Sequence, residues 1–207
     1  MLESGEVRLR PISRKDRDEW RRVRRANAAW LQRWDATAPE RSRSQPRSFA
    51  SMVRHMRNEA RAGRQLPFVI EYRGRFAGQV TVSNVVRGSA QFASVGYWVD
   101  EAYAGRGITP RAVAMVVDHC FGPVGLHRIE VAIRPENTSS LRVVEKLGIG
   151  EVGFAPRFLH IDGEWRDHRL FAITQEEVPQ GLLRRFLTTG TDAERAPRIP
   201  NSHQSQE

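Results

Sequence analysis

The sequence contains a single cysteine, Cys120, which excludes an internal disulfide and a metal site made only of cysteines. No apolar run approaches the roughly 20 residues that a membrane-spanning helix needs. The first residues also lack the apolar stretch of a secretory signal peptide. The six histidines show no ligand-like spacing, so we expect no bound metal. Together these absences favour a protein of a reducing compartment, and the cytoplasm is the expected location.

Lysine is scarce as well, because only Lys15 and Lys146 accompany the many arginines that give a net charge of +9. Such a bias can follow from GC-rich codon usage, or it can attract an anionic partner such as a phosphate-bearing cofactor, nucleic acid or an acidic protein. Charge alone does not choose among these explanations. We expect no direct binding to nucleic acid, although the charge leaves that question open.

The composition is that of a globular chain, with 40% hydrophobic and 28% charged residues. Its 207 residues suffice for one domain, which we place at residues 5–178. The basic sequence LLRRFL predicts an amphipathic C-terminal helix at residues 179–187. Residues 188–207 are polar and without periodicity, which predicts a disordered tail.

Hydrophobic periodicity predicts the element order βααβββαβαββ. Arg73-Gly74 and Asp162-Gly163 each lie between two β-rich runs and predict hairpins. Residues 91–134 are typical of a strand, a helix and a second strand, which form a crossover unit. These features predict an α/β fold of the α+β kind, in which helices flank a mixed, mostly antiparallel central sheet.

The sequence YWVDEAYAGRGITPRAV places a glycine-containing loop between a strand and a helix. Glycine permits sharp turns and the close approach of a ligand. Backbone N–H groups near the positive end of the helix dipole would hold a phosphate or pyrophosphate. The residues that would form this cradle are Gly105, Arg106, Gly107, Ile108 and Thr109. The alternative is an ordinary strand-to-helix turn that needs two glycines.

A second segment, RPENTSSLRVVEKLG, carries Asn137 and Ser140 three positions apart at the start of a predicted helix. Either side chain could simply cap that helix. In the other interpretation, both side chains reach the end of the sheet that carries the glycine loop and contact the same ligand.

Taken together, the two segments resemble the GNAT superfamily of acyl-CoA-dependent N-acetyltransferases. The pyrophosphate loop of that superfamily has the form Q/R-x-x-G-x-G/A, and residues 104–109 match it with Gly107 at the central glycine. Ala104 and Thr109 depart from the pattern, but Thr109 keeps its backbone N–H. The segments PENTSSLRVVEKLG, GFAPRFLHIDGEWRDHRLFAI and NAAWLQRW are similar to the RimJ/RimL group of ribosomal-protein-alanine N-acetyltransferases. The resemblance extends over residues 5–175 in matching order.

The resemblance implies a GNAT fold, acetyl-CoA as co-substrate, and a protein or peptide N-terminus as acceptor, ribosomal proteins included. In such enzymes the amine attacks the thioester directly. Val144 stands where many members have a tyrosine acid, so the resemblance assigns the sulfur-side role to Ser140, as in RimL-like members. Asn137 would bond the pantetheine. The backbone of Trp98 and Val99 would pair with the pantetheine amides, and an amide there could serve the oxyanion.

The general base is the least defined role. Glu130 is favoured over Asp100, Glu101 and a chain of water molecules, although each acid could be a surface charge. Asp167 and His168 on the last predicted strand are expected to make structural hydrogen bonds.

Two other functions stay open at this point. One is a GNAT enzyme that acts on a small amine, an antibiotic or a lysine side chain. The other is a non-catalytic module that binds acyl-CoA or RNA. The serine at the sulfur position and the intact loop favour an active enzyme. Both a monomer and a homodimer are compatible with the sequence.

Overall fold

The computed structural model describes residues 1–39 and 48–195. The strands are β1 (Leu2–Ser4), β2 (Val7–Pro11), β3 (Leu66–Tyr72), β4 (Arg75–Val86), β5 (Phe92–Val99), β6 (Arg128–Ile133), β7 (Gly150–Ile161) and β8 (Glu164–Thr174). The α-helices are α1 (Arg17–Ala26), α2 (Ala28–Leu31), α3 (Phe49–Arg61), α4 (Ile108–Phe121), α5 (Thr138–Leu147) and α6 (Leu182–Arg195).

The eight strands form one sheet in the order β1-β2-β3-β4-β5-β6-β8-β7. Only β5 and β6 pair in parallel, and they are joined by the crossover helix α4; the other neighbours are antiparallel. This confirms the predicted mixed, mostly antiparallel sheet flanked by helices. None of the described helices is long and apolar enough to cross a membrane.

The element order differs from the predicted βααβββαβαββ near the N-terminus. The short strand β1 pairs with β2 through a turn at Gly5, and three residues are too few for alternation to indicate a strand. The first predicted helix breaks at Asn27, which has φ −105° and ψ 20°. Its side-chain amide donates to the Val23 carbonyl and to the Asp100 carboxylate, both at 2.9 Å. The bond to Asp100, which is distant in sequence, helps to hold the helix break, and a local sequence pattern does not indicate such a contact.

The C-terminal helix is longer than predicted. It begins at Leu182 and continues to Arg195, beyond the predicted end of the helix at residue 187. The Asp118 carboxylate fixes its start by accepting from the backbone N–H groups of Leu182 at 2.6 Å and Leu183 at 3.0 Å. Once a helix is nucleated in this way, polar residues extend it without an apolar face. The remaining predicted tail, residues 196–207, lies outside the described residues.

Two apolar clusters fill the two faces of the sheet. The larger cluster includes most of α4, and Cys120 within it is 0% exposed. Burial raises the pKa of the Cys120 thiol to about 12, which keeps the thiol protonated at neutral pH. On the other face, Val23 of α1 and Val53 of α3 pack against Val69 and Phe76. The helices α1 and α3 thus cover the face of the sheet opposite α4.

The two parallel strands separate part of the way along the sheet. Residues 92–94 of β5 pair with residues 128–130 of β6, but β5 continues to Val99 and β6 to Ile133 without further pairs between them. Within residues 1–39 and 48–195, their facing edges therefore have no strand partner over this stretch. Backbone N–H and C=O groups at such an edge can hydrogen-bond an extended ligand.

Candidate active site

Three adjoining cavities follow the gap between β5 and β6. The first, which we name the loop cavity, has a volume of about 320 Å³ and is lined by Gly105 and Gly107. The second, the middle cavity, measures about 300 Å³ and shares Thr109 with the loop cavity. The third, the far cavity, measures about 360 Å³ and shares Ser140 with the middle cavity. Because neighbouring cavities share lining residues, they form one path from the glycine loop to the opposite face of the sheet.

The loop cavity is built around the start of α4. Gly107 is the N-cap residue of this helix with φ 74°, and Gly105 has φ 77°. Glycine adopts this left-handed conformation without strain. A Cβ added at either glycine would meet no atom within 4 Å, so both positions face open space. The N–H groups of Ile108 and Thr109, in the first turn of α4, have no intrahelical acceptors and are free to bind an anion.

Two cations on α5, Arg142 and Lys146, also line the loop cavity. Their charges add to the positive end of the α4 dipole. Sequence analysis missed them, because cations one turn apart on a helix usually face solvent. The Arg106 side chain is absent from the described lining of this cavity, and its guanidinium lies 5.8 Å from the centre of the Tyr103 ring. Any contribution of Arg106 to the cradle therefore comes from its backbone.

The end of β5 lines the middle cavity through Trp98 and Val99. Trp98 pairs with Gln79 and Val99 with Gly78, so the edge of β5 that faces β4 is occupied. The opposite edge has no strand partner among the residues that the structure describes, since the pairing with β6 ends at residue 94. This leaves backbone groups of β5 available to a ligand in the middle cavity.

Asn137 and Ser140 both line the middle and far cavities, but their hydrogen bonds differ. The Asn137 side chain caps α5 by accepting from the Ser140 backbone N–H at 3.1 Å. The Ser140 carbonyl accepts from the buried Tyr97 hydroxyl at 3.3 Å, and burial raises the pKa of Tyr97 so that this phenol stays neutral. Asn137 is thus the helix cap, and Ser140 lines both cavities.

The acidic residues considered as bases are held in other contacts. Glu130 accepts from the Arg128 guanidinium at 2.7 Å and is absent from the described lining of all three cavities. Asp100 accepts from Asn27 at 2.9 Å and from the Ala102 N–H at 3.1 Å. Glu101 is exposed at the start of the following turn. The structure therefore does not bring Glu130 together with the other predicted site residues.

His168 lies where sequence analysis expected only a structural residue. It is 3% exposed and lines the far cavity with Ser140. Its Nδ1 is 3.0 Å from the Arg166 carbonyl, which can only accept, so Nδ1 carries the proton and Nε2 has the free lone pair. Burial lowers the pKa of His168, and this outweighs the raising effect of the Arg166 carbonyl. The far cavity thus contains a neutral imidazole.

The tryptophans divide between core and cavity. Trp20 packs against Phe49 with ring centres 5.4 Å apart. Trp30 lines the loop and middle cavities, whereas Trp34 lines the middle and far cavities. The described residues contain no group of three or more histidine, cysteine or acidic side chains that could hold a metal ion.

Comparisons with known proteins agree with this geometry. The family model described as Acetyltransferase (GNAT) domain matches residues 6–149. Among solved structures, Mycobacterium smegmatis RimJ in complex with CoA-disulfide is similar, with a TM-score of 0.83 and 45% sequence identity over 89% of each chain. The two chains therefore share a fold, and nearly half of their aligned residues are identical.

Two curated relatives match a shorter region. The probable N-acetyltransferase YjcK of Bacillus subtilis is 41% identical over 106 residues, which are 51% of this chain and 59% of the relative. The [Ribosomal protein uS5]-alanine N-acetyltransferase of Escherichia coli is 34% identical over 104 residues, 50% of this chain and 54% of the relative. The chain thus spans little more than half the length of these relatives. Since the family model itself covers well over half of the chain, the protein belongs to the GNAT family of acetyltransferases.

Proposed function

We propose that the protein transfers the acetyl group of acetyl-CoA to the α-amine of a protein N-terminus that begins with a small residue such as alanine or serine. The observation that carries this proposal is the continuous path of three cavities, with Ser140 where the middle and far cavities meet. A thioester from one side and an amine from the other would meet beside that hydroxyl. Support comes from the similar RimJ structure, which holds CoA, and from the relative whose substrate is an alanine of ribosomal protein uS5.

The loop and middle cavities fit the chemical groups of acetyl-CoA in sequence. The backbone amides of residues 105–109 and the α4 dipole suit the pyrophosphate, with Arg142 and Lys146 adding positive charge. The free edge of β5 at Trp98 and Val99 suits the two pantetheine amides. The Asn137 amide group borders the same cavity. These contacts would place the thioester beside Ser140.

Two side chains of the far cavity would move or hold protons during the transfer. His168 Nε2 accepts the proton that the amine loses as its nitrogen bonds to the acetyl carbon. The Ser140 hydroxyl donates to the sulfur as the C–S bond breaks, and so stabilises the developing thiolate charge. A backbone N–H at the end of β5 would donate a hydrogen bond to the carbonyl oxygen of the thioester as negative charge develops on that oxygen. Glu130 takes no part in this scheme, because Arg128 holds it away from the cavities.

The far cavity suits a peptide N-terminus better than a polyamine. Asp35 is the only carboxylate in its described lining, and the Arg24 guanidinium already binds that carboxylate. Arg134 also lines this cavity, and its guanidinium pairs with Glu136 at 3.2 Å. A polycation would therefore find little to neutralise it. An α-amine, with a pKa of about 8 rather than the lysine value of about 10.4, also loses its proton more readily to a neutral imidazole.

The acceptor is tested by competition among peptides that begin with Ala, Ser or Met, each with a free or a blocked α-amine. Spermidine and a peptide with an internal lysine and a blocked N-terminus serve as alternative acceptors. We expect acetylation of free N-termini, fastest for Ala and Ser, as read by mass spectrometry. Acetyl groups on lysine alone, or on spermidine alone, would contradict the proposed acceptor and leave the acetyltransferase assignment unaffected.

The role of His168 is tested against that of Glu130. His168→Asn should lower kcat by about 100-fold or more, the usual contribution of a general base. Glu130→Gln, a matched change on the neighbouring strand, should stay within about twofold of the wild type, since it removes only an ion pair of low expected value. Circular dichroism would confirm that both variants fold.

The pH dependence of kcat gives a second readout. Burial lowers the pKa of His168, so the imidazole is neutral at and above neutral pH and gains a proton only as the pH falls. Arg134 also lowers this pKa, whereas Asp167 and Glu136 raise it. We expect kcat to decline at acid pH in the wild type and in Glu130→Gln, and to lose that dependence in His168→Asn. An unchanged acid limb in His168→Asn would show that another group accepts the proton.

A further inference from the structure

A groove on the surface of α3 carries five cations that the acetyl transfer does not use. Its volume is about 540 Å³, and its charged lining residues are Arg14, Lys15, Arg54, Arg57 and Arg61. All five are exposed. Within the described part of the chain, none of the residues that line this groove lines the loop, middle or far cavity. The charge of the groove therefore serves neither the proposed acetyl-CoA path nor the proposed acceptor site.

The acids closest to these cations in sequence are bound to other arginines. Asp16 accepts from Arg10 at 2.6 Å and Asp18 from Arg17 at 2.9 Å, while Glu59 accepts from Arg64 at 2.7 Å. The described lining of the groove contains no carboxylate. A codon bias can raise the number of arginines, but it does not explain why five cations surround one groove while the neighbouring carboxylates are occupied elsewhere.

We propose that this basic groove binds the phosphate backbone of double-helical RNA. Arg54, Arg57 and Arg61 follow one side of α3, and seven residues of α-helix span about 10 Å. Such a row is longer than a single phosphate group and can contact more than one phosphate of a duplex strand, where the charges repeat regularly. A single small anion would engage only part of such a row. The row thus matches a polyanion with regularly spaced charges.

The uncharged lining of the groove argues against a protein partner and against base recognition. Its one apolar lining residue, Val53, is 0% exposed, so the described groove offers no apolar anchor of the kind that protein interfaces use. It also contains no aromatic side chain on which an unpaired base could stack. Contacts would go to phosphates, which carry no sequence information. The choice of RNA over DNA rests on the proposed function, because the relative that supports it acts on a ribosomal protein, and ribosomal proteins occur together with RNA.

The test is fluorescence anisotropy with a labelled RNA hairpin of about 20 base pairs over a series of salt concentrations. The wild type should bind with a Kd of about 1–100 μM near physiological salt, and affinity should fall steeply as salt rises. The triple variant Arg54→Gln, Arg57→Gln, Arg61→Gln should bind at least about tenfold more weakly at 100 mM salt. Its plot of log affinity against log salt should be shallower by about two to three, as expected for three lost phosphate contacts.

A matched triple variant, Arg8→Gln, Arg73→Gln, Arg75→Gln, removes the same charge away from the groove. Two of these arginines already pair with Glu3 and Glu6, at 2.8 and 2.7 Å. This control should keep RNA affinity within about twofold of the wild type. Equal weakening in both variants would mean that overall charge, not the groove, attracts RNA, and would overturn the proposal. Tighter binding to a DNA duplex of equal length or to polyglutamate would overturn the choice of RNA.

Acetylation of a short free peptide separates this proposal from the proposed function. The groove variant should retain wild-type kcat and KM with such a peptide, because no groove residue lines the catalytic path. Loss of RNA binding with retained acetylation supports the groove. Retained RNA binding in the groove variant overturns the groove assignment, whatever the acetylation result. A wild type that binds RNA but acetylates no N-terminus would refute the proposed function while leaving the groove intact.

Discussion

Replacing Gly107 with valine is expected to weaken acetyl-CoA binding by about 2 kcal/mol or more, roughly 30-fold, while the protein stays folded. Gly107 has φ 74°, a conformation that a β-branched residue rarely adopts, so the variant strains the turn that presents the amides. The new side chain would also extend into open space, because nothing lies within 4 Å of an added Cβ. In the proposed acetyl-CoA pose, the pyrophosphate approaches the N-terminus of α4 through that space.

Gly63→Val is the matched control for this prediction. Gly63 follows α3, has φ 68°, and likewise has no atom within 4 Å of an added Cβ. It therefore imposes similar backbone strain on an open surface, but it does not line any of the three cavities in the described structure. Calorimetric titration with acetyl-CoA should give near wild-type affinity for Gly63→Val. If Gly107→Val bound acetyl-CoA as tightly as the wild type, the pyrophosphate could not lie at this loop.

The glycine loop could be predicted from sequence because its chemistry is local. Two glycines between a strand and a helix determine both the left-handed turn and the free amides, and residues 105–109 occupy that place in the structure. Arg142 and Lys146 could not be found in this way. They reach the loop cavity only because α5 packs beside α4, and a helix surface pattern does not say which cations will face a neighbouring helix.

The separation of β5 and β6 is also a tertiary feature. Tyr97, Trp98 and Val99 have high β propensity, yet the pairing of β5 with β6 ends at Ser94. Where two strands part depends on the register and on what packs between them, which no single strand encodes. The middle cavity, and with it the free backbone of Trp98 and Val99, was therefore accessible to sequence analysis only through resemblance to a family.

The contact of Glu130 with Arg128 could have been predicted from the two-residue period of a strand. Residues two apart on a strand lie on the same face, so Arg128 and Glu130 are neighbours by the period of the strand alone. Their ion pair at 2.7 Å could have been anticipated from that spacing. His168 is the opposite case. Its place in the far cavity follows from the position of β8 beside β6, which depends on sheet order rather than on local sequence.

The second large effect is expected for Ser140→Ala, which should lower kcat by about 100-fold with little change in acetyl-CoA affinity. In the proposed mechanism the hydroxyl stabilises a thiolate charge that develops only as the C–S bond breaks, so its loss would raise the barrier without weakening the bound ground state. The melting temperature should hardly change, because Asn137 caps α5 and no side-chain hydrogen bond of Ser140 is present among the described residues.

Ser140→Thr tests whether the hydroxyl group or the size of the side chain matters for activity. Threonine keeps an oxygen donor at the same carbon and should recover much of the activity that alanine loses, although its extra methyl group enters the junction of the middle and far cavities. Stopped-flow or steady-state assays with an Ala-initiated peptide give kcat, and calorimetry gives acetyl-CoA affinity separately. If Ser140→Ala weakened acetyl-CoA binding in proportion to its loss of kcat/KM and left kcat unchanged, the hydroxyl would be a binding group. The thiolate would then take its proton from solvent through the far cavity, and the catalytic contribution of this chain would rest on positioning and on His168.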